Sequence, residues 1–209
     1  SSKDASSDQE RSKEDQKAYI QLMDEIRSLY MEKAIRKDFK SQFEIGLKLR
    51  KSKKKLEKYE ADSTKMLEKL QKEGIEEAKA RLWAMVREGL EERATLVDVK
   101  GTEGKIVQHK ISHALKRIKV LGGQVNKVKL IDMRDHINQT MFSIIKEEYL
   151  KISALMGDQS KNLALKATVK KYTSILERLK EESDIKEDIE AMIIQNLQLS
   201  DQTSIIEAA

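Results

Sequence analysis

Apolar residues recur every three or four positions along most of this chain, which is the spacing of helices that bury one side. From about residue 17 to residue 72 the pattern continues, so we predict a long first helix, and a break near Ser41–Gly46 stays open. Gly74 stands where a glycine commonly ends a helix, and the pattern then resumes. We therefore predict an antiparallel helical hairpin with arms 17–72 and 75–121.

The first arm carries an apolar stripe about 100° wide, and lysines occupy its opposite side. The stripe has the three- and four-residue spacing of a seam between packed helices, and the second arm offers a matching stripe. The predicted seam residues are Leu49, Leu56, Tyr59, Met66 and Leu70 in the first arm and Ile75, Leu82 and Met85 in the second.

Glycines divide the rest of the chain. Gly101 and Gly104 weaken the second arm, and we expect a hinge there, while Gly122-Gly123 is a firmer break. Further helices are predicted at about 127–156, at about 163–182 and, opened by an N-cap at Asp184, as far as about Leu197.

The composition supports an all-α fold, because the chain has no proline, only eight glycines and 4% aromatic residues. We predict a long, coiled-coil-like antiparallel hairpin with additional shorter C-terminal helices. The expected domains are a disordered extension (1–16), a helical core (17–182) and an acidic C-terminal helix and tail (183–209).

The chain has a net charge of +5, and its basic and acidic residues are unevenly distributed along the sequence. Residues 33–58 hold eleven basic and three acidic side chains, whereas residues 181–209 hold one basic and eight acidic ones. This distribution suggests an anionic partner and a tail that folds back onto basic residues. We predict that eight residues form a membrane-binding basic ridge: Lys33, Arg36, Lys40, Lys51, Lys54, Lys55, Lys58 and Lys65.

Two other interpretations of the ridge stay open at this point. A lysine-rich helix face can simply be solvated, but here it is poorly interleaved with acids. Nucleic acid is a second possibility, although no helix-turn-helix, RNP or zinc-finger pattern is present and we find no aromatic residues interleaved with the bases.

The sequence offers little catalytic chemistry. It has no cysteine, no P-loop and no nucleophile motif, and His109 and His113 lack a third ligand, so we expect no enzyme activity, no cofactor, no metal and no small-molecule substrate. No apolar run approaches the roughly 20 residues that span a bilayer, so we expect a cytoplasmic protein that is peripheral to a membrane.

Two stretches resemble the ESCRT-III family of charged multivesicular body proteins. "KSKKKLEKYEADSTKMLEKLQKEGIEEAKARLWAMVREGLEER" is similar to that family's basic first helix, glycine-containing loop and second helix, with Val86-Arg87 where the second helix tends to carry such a pair. "KKYTSILERLKEESDIKEDIEAMI" is similar to its late amphipathic helix, acidic linker and final packing helix. The N-terminal extension and the 120–165 region are longer than in that pattern, and no ATPase-binding helix follows Leu199.

The resemblance implies a monomer that is closed by its acidic tail and opens at the Gly101–Gly104 hinge. Open subunits would polymerise into membrane-remodelling filaments with related ESCRT-III subunits, and an AAA ATPase would disassemble them. The alternatives are a coiled-coil or BAR-like dimeric scaffold, in which the apolar stripe pairs between chains, and a nucleic-acid-binding helical protein.

Overall fold

The computed structural model describes residues 12–155 and 163–194, and this part of the chain is helical with short connections. The prediction of an all-α fold is confirmed. Residues 189–194 are also helical. The six longer helices are α1 (Lys13–Ile35), α2 (Phe39–Glu57), α3 (Thr64–Ala94), α4 (Thr102–Val120), α5 (Lys127–Leu155) and α6 (Leu163–Ser183).

The predicted first arm is three helices rather than one, because side chains cap the backbone at two breaks. Asp38 caps the start of α2 by accepting a hydrogen bond from the Ser41 amide at 2.8 Å. The Gln42 amide group donates to the backbone oxygens of Lys33 and Arg36, which α1 leaves unpaired at its end. At the second break Asp62 accepts from the Thr64 amide at 3.2 Å. The residues of the break that stayed open, Ser41–Gly46, lie inside α2.

The described residues divide into two compact units, each with its own core. Unit 1 comprises residues 12–84 and 116–123, and unit 2 comprises the remaining described residues. Helices α3 and α4 contribute residues to both units.

In unit 1, α2 runs antiparallel to α1, and the unit 1 part of α3 runs parallel to α1. Gln42 meets Lys33 beside the α1–α2 connection, and Ser52 donates to Glu25 at 3.3 Å further from it. The Arg27 side chain reaches Glu73 at 2.7 Å, and further along both helices Met31 packs with Ala78, which gives the parallel direction of α1 and α3. The core that these helices enclose contains Leu22, Ile26, Leu29, Tyr30, Ile45, Leu49, Leu56 and Leu70.

Gly74 does not end a helix, because α3 continues through it to Ala94. A Cβ at this position would lie 2.8 Å from both the Arg27 backbone oxygen and the Tyr30 Cβ. The glycine therefore lets the backbones of α1 and α3 approach closely, which explains its presence without a turn.

Unit 2 is built on α5 and α6. Asn138, in the first half of α5, donates to the Ser183 hydroxyl at the end of α6 at 2.9 Å, so the two helices run antiparallel. Their shared core includes Phe142, Ile145, Tyr149, Ile175, Leu176 and Leu179. The predicted bounds of both helices are confirmed to within one residue at each end.

The predicted breaks near the other glycines differ in detail. The connection between α3 and α4 contains Gly101, and Gly104 lies in the first turn of α4, where a Cβ would be 2.0 Å from the Val99 oxygen. The break at Gly122-Gly123 is confirmed, with Gly122 at φ +85.

The predicted N-cap at Asp184 is wrong. Asp184 has φ +50 directly after α6, and Asp188 instead caps residues 189–194 by accepting from the Ala191 amide at 3.1 Å. Of the predicted disordered extension, Lys13 onwards is helical and residues 1–11 lie outside the described residues, as do residues 195–209 of the predicted tail.

Candidate functional site

All eight residues of the basic ridge are exposed in unit 1. Within residues 12–155 and 163–194, none of their charged groups lies within 4.0 Å of a carboxylate oxygen. By position, Lys33 is in the last turn of α1 and Arg36 in the connection, five residues are on or just after α2, and Lys65 is on α3. The ridge is thus spread over three helices rather than along one.

The five α2 positions, Lys40, Lys51, Lys54, Lys55 and Lys58, project over an arc of about 100° when each residue turns the helix by about 100°. The other side of α2 is buried through Ile45, Leu49, Ser52 and Leu56. Packing of that side against α1 therefore orients the lysines toward solvent.

Most of the predicted seam residues are at least partly buried, as expected, but those of the predicted first arm pack against α1 and not against the predicted second arm. Leu49, Leu56 and Leu70 are buried in the unit 1 core, and Tyr59 and Met66 are partly buried against it, but their partners come from α1, whose apolar stripe the sequence analysis did not pair with them. Ile75 packs in a second cluster formed by Met31, Ala34 and Ala78. Leu82 is buried, whereas Met85 is 47% exposed and is not a core residue.

The electrostatics of α2 reinforce the ridge. This helix holds seven basic and two acidic side chains, a net charge of +5. Two other acids of unit 1, Glu73 and Asp24, both pair with Arg27 at 2.7 Å. Hydrogen bonds from Ser41, helped by the charge of Arg36, hold the pKa of Asp38 below its ordinary value, so this cap stays ionised at neutral pH.

The statement that no aromatic residues are interleaved with the bases is wrong, because Phe39 and Phe43 lie among basic residues on α2. They belong to an exposed apolar strip that the sequence analysis missed. It consists of Phe39, Phe43 and Leu47, which are 85%, 58% and 42% exposed. The two phenyl rings are stacked with centroids 6.3 Å apart. The spacing i, i+4, i+8 was a readable signal, and at about 100° per residue it places the strip opposite the buried stripe and beside the ridge lysines.

The C-terminal segment, residues 185–194, packs into the core of unit 2. Ile189 and Met192 are buried with Phe142 and Tyr149, and Glu187 pairs with Lys146. The described part of the acidic region is therefore held by apolar burial and by an ion pair within unit 2.

Just before this segment, Glu182 sits between two arginines. Its oxygens accept from both terminal nitrogens of Arg93 at 2.8 and 3.0 Å and from Arg178 at 3.3 Å. The second terminal nitrogen of Arg178 donates to the oxygens of Arg93, Ala94 and Leu96 at 3.2, 2.8 and 2.7 Å, so it closes the C-terminal end of α3.

In this network, burial and the neighbouring charges shift the pKa values of Glu182 and Arg178 in opposite directions. Burial would raise the pKa of Glu182, but the hydrogen bond and charge of Arg93, joined by those of Arg178, hold it below its ordinary value. Burial likewise lowers the pKa of Arg178, partly offset by Glu182, and the guanidinium still stays charged at neutral pH. The network is therefore ionic under physiological conditions.

Metal binding and membrane crossing were both examined in the part of the chain that is described. Among those residues no three histidine, aspartate or glutamate side chains are grouped so that they could hold a metal ion. None of the described helices combines the length and apolar character needed to cross a membrane.

Scans against protein-family models, curated proteins and solved structures find no match to this chain.

Proposed function

We propose that this protein is a helical scaffold that binds anionic membrane surfaces through the basic ridge of unit 1, on the cytoplasmic side of endosomal or other membranes. The observation that carries the proposal is the exposure of all eight ridge residues, without carboxylate partners among the described residues, on helices whose apolar sides are already buried. Each Lys or Arg near an anionic leaflet contributes about 1 kcal/mol, so several acting together give useful affinity.

The dimeric-scaffold alternative requires a free apolar stripe for a second chain. Leu49, Leu56 and Leu70 are 3%, 0% and 1% exposed inside one chain, so the stripe is already occupied. Nucleic acid remains the second candidate, because the exposed rings of Phe39 and Phe43 among basic residues could stack on bases.

The experiment compares two variants with the same change in charge. Lys51, Lys54, Lys55 and Lys58 are replaced together by Gln, and the control replaces the exposed Lys166, Lys170, Lys171 and Lys186 of unit 2 in the same way. Co-sedimentation with phosphatidylcholine vesicles containing phosphatidylserine should fall by up to about a thousandfold for the first variant, since four lysines supply at most about 4 kcal/mol.

If the control and ridge variants lose binding equally, the net charge of the protein, and not this surface, is responsible for vesicle binding. Binding that survives in the ridge variant would refute the proposal. Steeply salt-dependent binding to single-stranded or duplex nucleic acid, with vesicles ignored, would favour the second candidate.

We further propose that the protein assembles into membrane-remodelling filaments when its C-terminal segment is released, together with related ESCRT-III-type subunits. The supporting observation is that Ile189 and Met192 fill part of the unit 2 core from outside α5 and α6. Release would uncover Phe142, Ile145 and Ile175, which would then favour contact with a second copy.

Ile189→Asp tests this assembly step, because the residue is 3% exposed, and Ile194→Asp, at a site that is 55% exposed, is its control. Electron microscopy on vesicles should show filaments for the first variant only. Lys146→Gln, which cuts the pair with Glu187 and leaves the core intact, shows whether any effect depends on unfolding. Circular dichroism checks the fold, and a folded Ile189→Asp protein that stays monomeric on vesicles would refute the assembly step.

A further inference from the structure

The apolar strip of α2 is unusual because it lies among basic side chains on a helix with a net charge of +5. Arg50 and Lys54 project within the same arc as Phe39, Phe43 and Leu47, and the remaining α2 ridge lysines border it. Lys33 of α1 lines the same shallow groove as Phe43, Gly46 and Leu47. A Cβ added at Gly46 would have no atom within 4 Å, so the groove is open there.

We infer that the strip inserts into the interface of an anionic bilayer, with Phe39 and Phe43 entering below the headgroups while the ridge lysines bind lipid phosphates and carboxylates. The inference rests on the membrane binding proposed above and adds which side chains enter the lipid. It also changes the expected binding mode, because a ridge of lysines alone would only rest on the surface.

The chemistry of the strip favours lipid over a protein partner. Three side chains, two of them rings that bury about 150–250 Å² each, are too few for the roughly 800 Å² per partner of a stable protein interface. They are sufficient for an interfacial helix, in which apolar side chains enter the acyl boundary and lysines extend to the headgroups. The net charge of +5 on α2 selects an anionic leaflet over a neutral one.

The absence of cysteine from the sequence permits a direct depth measurement. Phe43→Cys carries a polarity-sensitive fluorophore, and Lys48→Cys, about 140° around the same helix, carries it as the control. On vesicles of phosphatidylcholine and phosphatidylserine, the label at position 43 should become brighter and be quenched by spin-labelled acyl chains. The label at position 48 should do neither.

Replacement of both phenylalanines tests the energetic contribution. Phe39→Ser with Phe43→Ser should weaken partition into these vesicles by about a hundredfold, roughly tenfold for each ring withdrawn from lipid. The matched control, Val128→Ser with Leu163→Ser, removes apolar side chains that are 64% and 81% exposed in unit 2 and should leave partition unchanged. All four positions are exposed, so circular dichroism should show unchanged folding.

The outcomes separate the two proposals. If the unaltered chain ignores phosphatidylserine vesicles, both the membrane function and the insertion are refuted. If it binds while the double-serine variant binds equally and the label at position 43 stays in water, only the insertion is refuted. Quenching of that label by nucleic acid, with no response to vesicles, would refute the insertion and would show that nucleic acid binds beside position 43.

Discussion

Glu182 is a partly buried side chain whose negative charge holds two arginines of unit 2, so neutralising it should destabilise that unit. Glu182→Gln keeps the size and one acceptor, but it removes the negative charge shared by Arg93 and Arg178 and points an amide donor at a guanidinium. Arg178 keeps its three backbone acceptors, so the loss falls mainly on the contact between Glu182 and Arg93.

The size of the effect follows from burial. Removing one partner of a buried ion pair costs about 3–5 kcal/mol. The side chains of Glu182, Arg93 and Arg178 are 20%, 17% and 13% exposed, so water screens part of the interaction. We therefore expect the free energy of unfolding to fall by about 2–3 kcal/mol, which lowers Tm by about 4–12 °C in a chain of this size.

Thermal and urea unfolding followed by circular dichroism measure this difference. Glu181→Gln is the control, because it makes the same chemical change one residue away at an exposed position and should alter stability by less than about 0.5 kcal/mol. Equal and small effects of the two variants would refute the argument, since they would mean that solvent already screens the network.

Two further predictions concern pH and close helix packing. The pKa of Glu182 in the folded protein is below its ordinary value of 4.5, so the unfolded chain takes up the proton first as the pH falls. The free energy of unfolding should therefore drop more steeply from about pH 5 to about pH 3 in the unaltered protein than in Glu182→Gln. Gly74→Ala should lower the free energy of unfolding by about 1–3 kcal/mol, because its Cβ would overlap the backbone of α1. Gly46→Ala should raise it by about 0.5–1 kcal/mol, because its Cβ would lie in open space. Urea unfolding compares the two variants, and similar effects would contradict the close approach of α1 and α3.

The helical class and many helix ends followed from local rules that the sequence displays directly. Three such signals affect only the residues next to them in the chain. They are the absence of proline, the glycine pair at 122–123 and the apolar periodicity of α5 and α6. The breaks at Asp38 and Asp62 are equally local, and their capping patterns could have been recognised.

The partner of an apolar stripe is not a local property. The stripe of α2 fits the seam of a hairpin with residues 75–86 as well as it fits α1, because both carry apolar residues at the same spacing. The break at residues 36–38 decides between them, since it folds α1 back onto α2. Gly74 is ambiguous for the same reason: a glycine that ends a helix and one that admits a neighbouring backbone look alike until the neighbour is known.

The exposure of the five α2 ridge residues was predicted correctly despite this error, because it follows from which side of α2 is buried. Ile45, Leu49 and Leu56 turn inward whichever helix covers them, so Lys51 and Lys54 must turn outward. The same logic applies to Phe39, Phe43 and Leu47, which lie opposite the buried stripe yet are apolar. Local helix geometry thus predicts that this face is both basic and apolar. A surface that combines the two properties is suited to the boundary between water and lipid.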